Sequence, residues 1–132
     1  MSLRDFMDDL HSKSESYSIK LGVTGVGLND SSDAFRHAWS SAVISRDYGL
    51  GIAENLGYLL EIMAVIDRGS DEEPASRMDV WNNQIGREIQ ISLGSTATDD
   101  QLADAVKKAL DQGRLIIKAG GTSTPAISPT TN

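Results

Sequence analysis

The residues best equipped for chemistry fall in two short stretches, Asn29–Ala38 and Met78–Glu88. In the first, Asp33 and His37 stand four apart, on one face of a helix, with Arg36 beside them. A carboxylate in that position can orient an imidazole, as a general base or a ligating histidine requires. In the second, Asp79, Asn82, Asn83 and Gly86 share a helical face, and Arg87 follows. Asparagine and glycine inside a helix each cost up to about 1 kcal/mol relative to alanine. A sequence that accepts this repeatedly does so for packing or for function. Glu61 is the third element, a lone acid in the otherwise apolar run 56–66, where a carboxylate needs a partner such as Arg36, His37 or Arg87. The catalytic candidates are therefore His37, Asp33, Glu61 and Asp79. Arg36, Asn82, Asn83 and Arg87 are candidates for holding an anionic substrate group.

A plainer reading stands beside this one. Asn29 and Asp33 suit helix capping, Arg36 with Glu61 suits a structural ion pair, and Asn82 and Asn83 suit hydrogen bonds to loop backbone. A single histidine is more often structural than catalytic. Trp39 and Trp81 read as core residues, and His11 as a solvated one. The acids of 71–73 lack the ligand spacing of a calcium loop.

Five helices must position these groups. Ser2 can cap a first helix with Leu3, Phe6, Met7 and Leu10 on one face, ending indistinctly among Ser12, Ser14, Ser16 and Ser18. Gly22, Gly25 and Gly27 mark a loop, without the Lys-Ser/Thr ending of a phosphate cradle. A second helix opens at the caps of 29–32, carries the stripe Phe35, Ala38, Trp39, Ala42 and Val43, and stops at Tyr48-Gly49. A third, Gly51 to Asp67, is apolar on nearly every side and reads as central and buried. A fourth runs from about Ala75 to Gln90 with Met78, Trp81, Ile85 and Ile89 on one face. Thr98 with Gln101 forms a capping box for a fifth, which Gly113 ends. Ile89, Ile91 and Leu93 alternate and suggest a strand pairing with Leu115–Ile117. After Ala119 the Gly, Ser, Thr and Pro composition predicts a disordered tail.

The 132 residues suffice for one domain, expected over 1–118 with the tail at 119–132. The formal net charge of −7 disfavours nucleic acid, whose phosphates need clustered Lys and Arg. With no cysteine there is neither a disulfide framework nor a thiolate nucleophile. No apolar run reaches membrane-spanning length, and the acidic start carries no signal peptide, so synthesis in the cytoplasm is expected, with export by a signal-independent system left open.

Two motifs, Asp33-Ala34-Phe35-Arg36-His37-Ala38 and Met78-Asp79-Val80-Trp81-Asn82-Asn83-Gln84-Ile85-Gly86-Arg87, resemble an uncharacterised bacterial domain family. That family occurs in secreted proteins and at the C-terminal ends of polymorphic-toxin-type proteins. The helix from Thr98-Asp99-Asp100-Gln101-Leu102 to Gly113-Arg114-Leu115 is similar to it as well, so the resemblance spans about 29–118. The family pattern typically has His-Glu where this chain has Leu60-Glu61, and His where it has Trp81. With those imidazoles missing, a zinc site of several histidines is not expected, and neither metal nor cofactor is assigned.

These readings give an all-α fold, a bundle of about five helices with a small two-stranded element near the C-terminus. The function expected is that of a bacterial effector or toxin-type hydrolase, with His37 as general base oriented by Asp33 or Glu61. The alternatives are a non-catalytic protein-interaction module and a structural component of a phage or secretion apparatus. The expected partner is a protein, an immunity or a delivery protein.

Overall fold

The computed structural model describes residues 3–23, 31–55, 73–119 and 122–125. The fold is all-α. Its helices are α1 (Leu3–Lys20), α2 (Ser31–Tyr48), α3 (described over residues 50–55), α4 (Glu73–Leu93) and α5 (Asp99–Asp111), followed by β1 (Ile116–Ala119) and β2 (Thr122–Pro125).

The centre of the molecule is α2, which packs against α1, α4, α5 and β1. Its sequence explains why. Ala34, Phe35, Ala38, Trp39 and Ala42 recur at three- and four-residue intervals, and all are fully buried. The small residues let neighbouring helices approach while Phe35 and Trp39 fill the space between them. The approach is closest at Gly86 of α4, where a Cβ would lie 2.0 Å from the Ala38 carbonyl oxygen. Only glycine fits there, which accounts for its presence in mid-helix. Contacts climb both helices together, from His37 with Asp79, through Ala38 with Gly86, to Ser45 with Gln90, so α2 and α4 run parallel. In contrast, α1 is antiparallel to α2: Ser18 meets Ser32 at one end, and Phe6 stacks edge-on against Tyr48 at the other.

Helix ends follow the expected chemistry. Thr98 Oγ1 accepts from the Gln101 amide while Gln101 returns its side-chain oxygen to the Thr98 amide, completing the capping box of α5. Gly49 and Gly113 take positive φ, 96° and 76°, and stop α2 and α5.

Several expectations need correction. The first helix continues through its serines to Lys20: Ser14 and Ser18 are buried against the fold, with Ser14 Oγ donating to the His11 carbonyl and Ser18 Oγ to the Val23 carbonyl. Ile89 to Leu93 is the last turn of α4 and not a strand: Ile89 is buried with Ile85 at helical spacing, while Ile91 and Leu93 face solvent. The strand pair lies farther along, with β1 antiparallel to β2 and Ile116 opposite Pro125. Thr122–Pro125 falls in the segment read as a tail, and backbone pairing supplies the order that its composition does not; 126–132 lie outside the described residues. At the start of α3, Leu50 and Ile52 are exposed and Ala53 is buried, so this turn is one-sided. The rest of that expected helix, with Leu60 and Glu61, lies outside the described residues, as do Asn29 and the acids 71–72. No helix among the described residues is long and apolar enough to cross a membrane.

Candidate functional site

Near the start of α2 the helical spacing does what the sequence requires of it. Asp33, Arg36 and His37 project from adjacent turns of one face, toward the α4 face that carries Asp79. His37 Nε2 lies 3.5 Å from Asp33 Oδ1 and 3.3 Å from Asp79 Oδ1. Two carboxylates from two helices thus bracket one imidazole nitrogen. Their side chains are 10% and 4% exposed, and that of His37 is 30% exposed, so the acids lie inside and the imidazole reaches the surface. Potential ligand atoms of Asp33, His37 and Asp79 all fall within 4.8 Å of one another.

Arg36 anchors the Asp33 side of this cluster. Its Nη2 donates to Asp33 Oδ1 at 3.3 Å and its Nη1 to Ser32 Oγ. The Ser32 and Ser18 hydroxyls are 3.0 Å apart, and Ser18 donates onward to the Val23 carbonyl. With Arg36 and Ser18 both donating, the Ser32 hydroxyl is left to donate to Ser18. The chain Arg36, Ser32, Ser18, Val23 ties the end of α1 to the start of α2 and holds the guanidinium behind Asp33. A buried carboxylate is costly unless it is paired, and this arrangement supplies a charged donor.

The structure divides the other candidates. Asn82 is fully buried and committed to architecture: its Nδ2 donates to the Ile116 carbonyl at 2.9 Å and its Oδ1 accepts from the Ile116 amide at 2.8 Å. This replaces the sequence-based role in substrate binding, because the side chain acts as a hydrogen-bonding edge for β1. Asn83, one turn along the helix from Asp79, is buried, and Arg87 is half-buried beyond Gly86. Among the described residues neither makes a hydrogen bond or ion pair with Asp33, His37 or Asp79. Glu61 lies outside the described residues. Trp81, at the position where the resembled family carries histidine, donates its indole N–H to the Arg114 carbonyl at 2.9 Å and serves as packing. An open cleft between the end of α4 and α5, lined by Glu88, Ile89, Lys108, Gln112 and Arg114, holds none of the cluster residues.

A second polar region, with no signal in the sequence, lies toward the far end of α2. Arg46 Nη1 donates to the Ala97 carbonyl at 3.0 Å, and its Nη2 pairs with Asp99 Oδ1 at 2.8 Å. Trp39 Nε1 donates to the Asp99 carbonyl, and Tyr17 Oη donates to Asp100 Oδ1 at 2.6 Å. The acids at 99 and 100 read as first-turn acids of α5, which gave no sign that α1 and α2 would reach them.

Over residues 9–114 the chain matches the family described as Domain of unknown function (DUF6973). The chain belongs to that family. The match begins before the 29–118 span of the motif resemblance and takes in most of α1, which packs on α2 as part of the same core. No curated protein and no solved structure matches the chain.

Proposed function

We propose that this domain is a hydrolase-type effector module whose working centre is His37, held between Asp33 and Asp79. One observation carries the reading: a partly open imidazole presents one nitrogen to two buried carboxylates of different helices, at 3.5 and 3.3 Å. In this arrangement the acids fix the ring and stabilise the positive charge that forms when the imidazole takes a proton from an attacking water. With Nε2 held by the acids, proton exchange with that water falls to Nδ1. Arg36, paired with Asp33 and backed by Ser32, is a cation held at this cluster and would steady an anionic group of the substrate. General base catalysis of this kind contributes about 10²–10⁴-fold in rate. The effector context rests on the resemblance of the two motifs to domains of secreted and polymorphic-toxin-type proteins, and its expected partner is an immunity or delivery protein.

A second reading, a non-catalytic interaction module, is favoured by the exposed apolar side chains of Ile91 and Leu93 in the last turn of α4, 59% and 44% exposed. Expression of the chain in the bacterial periplasm and in the cytoplasm separates the two. Toxicity in one compartment that disappears in His37→Gln, with an unchanged melt, supports the hydrolytic centre. Equal toxicity of the two chains contradicts it.

A further inference from the structure

The same three side chains have a property that a proton relay does not require: they form a ligand set. We propose that Asp33, His37 and Asp79 bind one first-row divalent cation of the Zn²⁺ or Mn²⁺ class. This goes beyond the hydrolytic reading and stands whether or not the site turns over a substrate.

Zinc holds nitrogen and carboxylate oxygen at about 2.0–2.2 Å, which in a tetrahedral site places neighbouring ligand atoms about 3.4 Å apart. His37 Nε2 stands 3.5 Å from one carboxylate oxygen and 3.3 Å from the other, and all three ligand atoms fit within 4.8 Å. A small inward adjustment of side chains on two packed helices closes a three-ligand set around one ion.

Charge favours the exchange. Two carboxylate oxygens converge on Nε2. A dication would engage both acids at once and accept the nitrogen lone pair in place of a proton. The donor types narrow the choice, because an imidazole nitrogen with two carboxylates suits zinc or manganese, whereas calcium and magnesium prefer oxygen alone.

The surroundings are those of a ligating site. Arg36 donates to Asp33 Oδ1 and is itself held by Ser32, an outer contact of the kind that orients a metal-bound carboxylate. The scaffold is rigid where it must be, since α2 and α4 meet at Ala38 and Gly86 just beyond His37. The partial exposure of His37 gives an ion its way in, as at reactive metal sites and unlike closed structural ones. Within such a loaded site the metal-bound water would take over as the activated nucleophile, because His37 Nε2 is then a ligand.

The chain has only two histidines, His11 and His37, which makes the test direct. His11 lies 3.7 Å from the exposed Glu15 and is the obvious adventitious zinc contact. Long-range ¹H–¹⁵N spectra of the imidazoles, recorded on the full chain at neutral pH, report on both rings. One equivalent of Zn²⁺ is expected to shift the His37 nitrogens and leave those of His11 in place. Calorimetric titration with Zn²⁺ should give one site, weakened at least tenfold by His37→Gln and by Asp79→Asn and unchanged by His11→Ala. Ca²⁺ should bind at least tenfold more weakly than Zn²⁺. A shift of His11 alone, or of neither ring, overturns the proposal on the wild-type chain, even if a variant fails to fold. Binding that survives both His37→Gln and Asp79→Asn overturns it as well. Because these readouts need no turnover, they fail independently of the toxicity assay.

Discussion

The two ends of α2 are both rich in polar groups, and they spend them differently. Beyond the near end, Arg46 pairs with the carboxylates of Asp47 and Asp99 and also donates to the Ala97 carbonyl, while Trp39, and Asn82 on α4, direct their hydrogen bonds at backbone groups of Asp99 and Ile116. Backbone partners cannot move without moving the fold, so these side chains are fasteners. At the near end Asp33, His37 and Asp79 meet one another through side-chain atoms around a partly open imidazole. Partners of that kind can exchange a proton, an ion or a ligand while the helices stay in place. Asn82 and Asp79 are both buried and lie one turn apart, and what separates them is the partner: the Ile116 backbone for one, the His37 imidazole for the other.

Substitutions can test that division. The largest effect is expected at the crossing between the two ends. Gly86→Ala forces a Cβ against the Ala38 carbonyl and should cost about 3 kcal/mol or more, despite alanine's better helix propensity. Denaturant melts would show it, and an unshifted midpoint would mean that the helices separate easily. Next comes Asn82→Ala, which strands the amide and the carbonyl of Ile116 and should cost about 2 kcal/mol. Hydrogen exchange at the Ile116 amide should accelerate with it. Asn83→Ala, which breaks no hydrogen bond among the described residues, should stay within about 1 kcal/mol. If Asn83 proved the costlier of the two, the assignment of Asn82 as the fastener would fail.

The smallest effect is a dependence on pH. Burial, and then the hydrogen bond to Asp100 and the charges of Asp100, Asp99 and Asp104, push the Tyr17 phenol up from 10.0 to about 12. A group with a raised folded value stabilises the fold fully below its unfolded pKa and loses that contribution as pH climbs toward the folded one. The stability advantage of the wild-type chain over Tyr17→Phe should therefore be constant up to about pH 10 and shrink between pH 10 and 12. Melts of both chains across that range check it. Parallel curves would show that the phenol senses no such surroundings.

Much of the fold was legible because single turns dictate it. The Thr98–Gln101 box, the stops at Gly49 and Gly113 and the buried stripe of α2 need no knowledge of distant residues. What misled was local ambiguity: Ile89, Ile91 and Leu93 fit alternation as well as the end of a helix, and only the buried Ile85–Ile89 pair of the folded chain decides between them. Thr122–Pro125 reads as tail because its order comes from β1 and not from its own side chains. For the site, the pairing of Asp33 with His37 follows from spacing on one helix, whereas Asp79 joins them only through the packing of α4 on α2. Asn82 and Asn83 are indistinguishable as letters, and one helical step decides which of them meets β1.

The proposed function makes the His37 end a working site and not a second set of fasteners. His37→Gln keeps a hydrogen-bond donor for the two acids and should leave the melt within about 1 kcal/mol of wild type. Growth during periplasmic expression of the two chains at equal levels is the direct measurement. Growth arrest by the wild-type chain and normal growth with His37→Gln are expected; arrest by both chains alike would contradict a working site at His37.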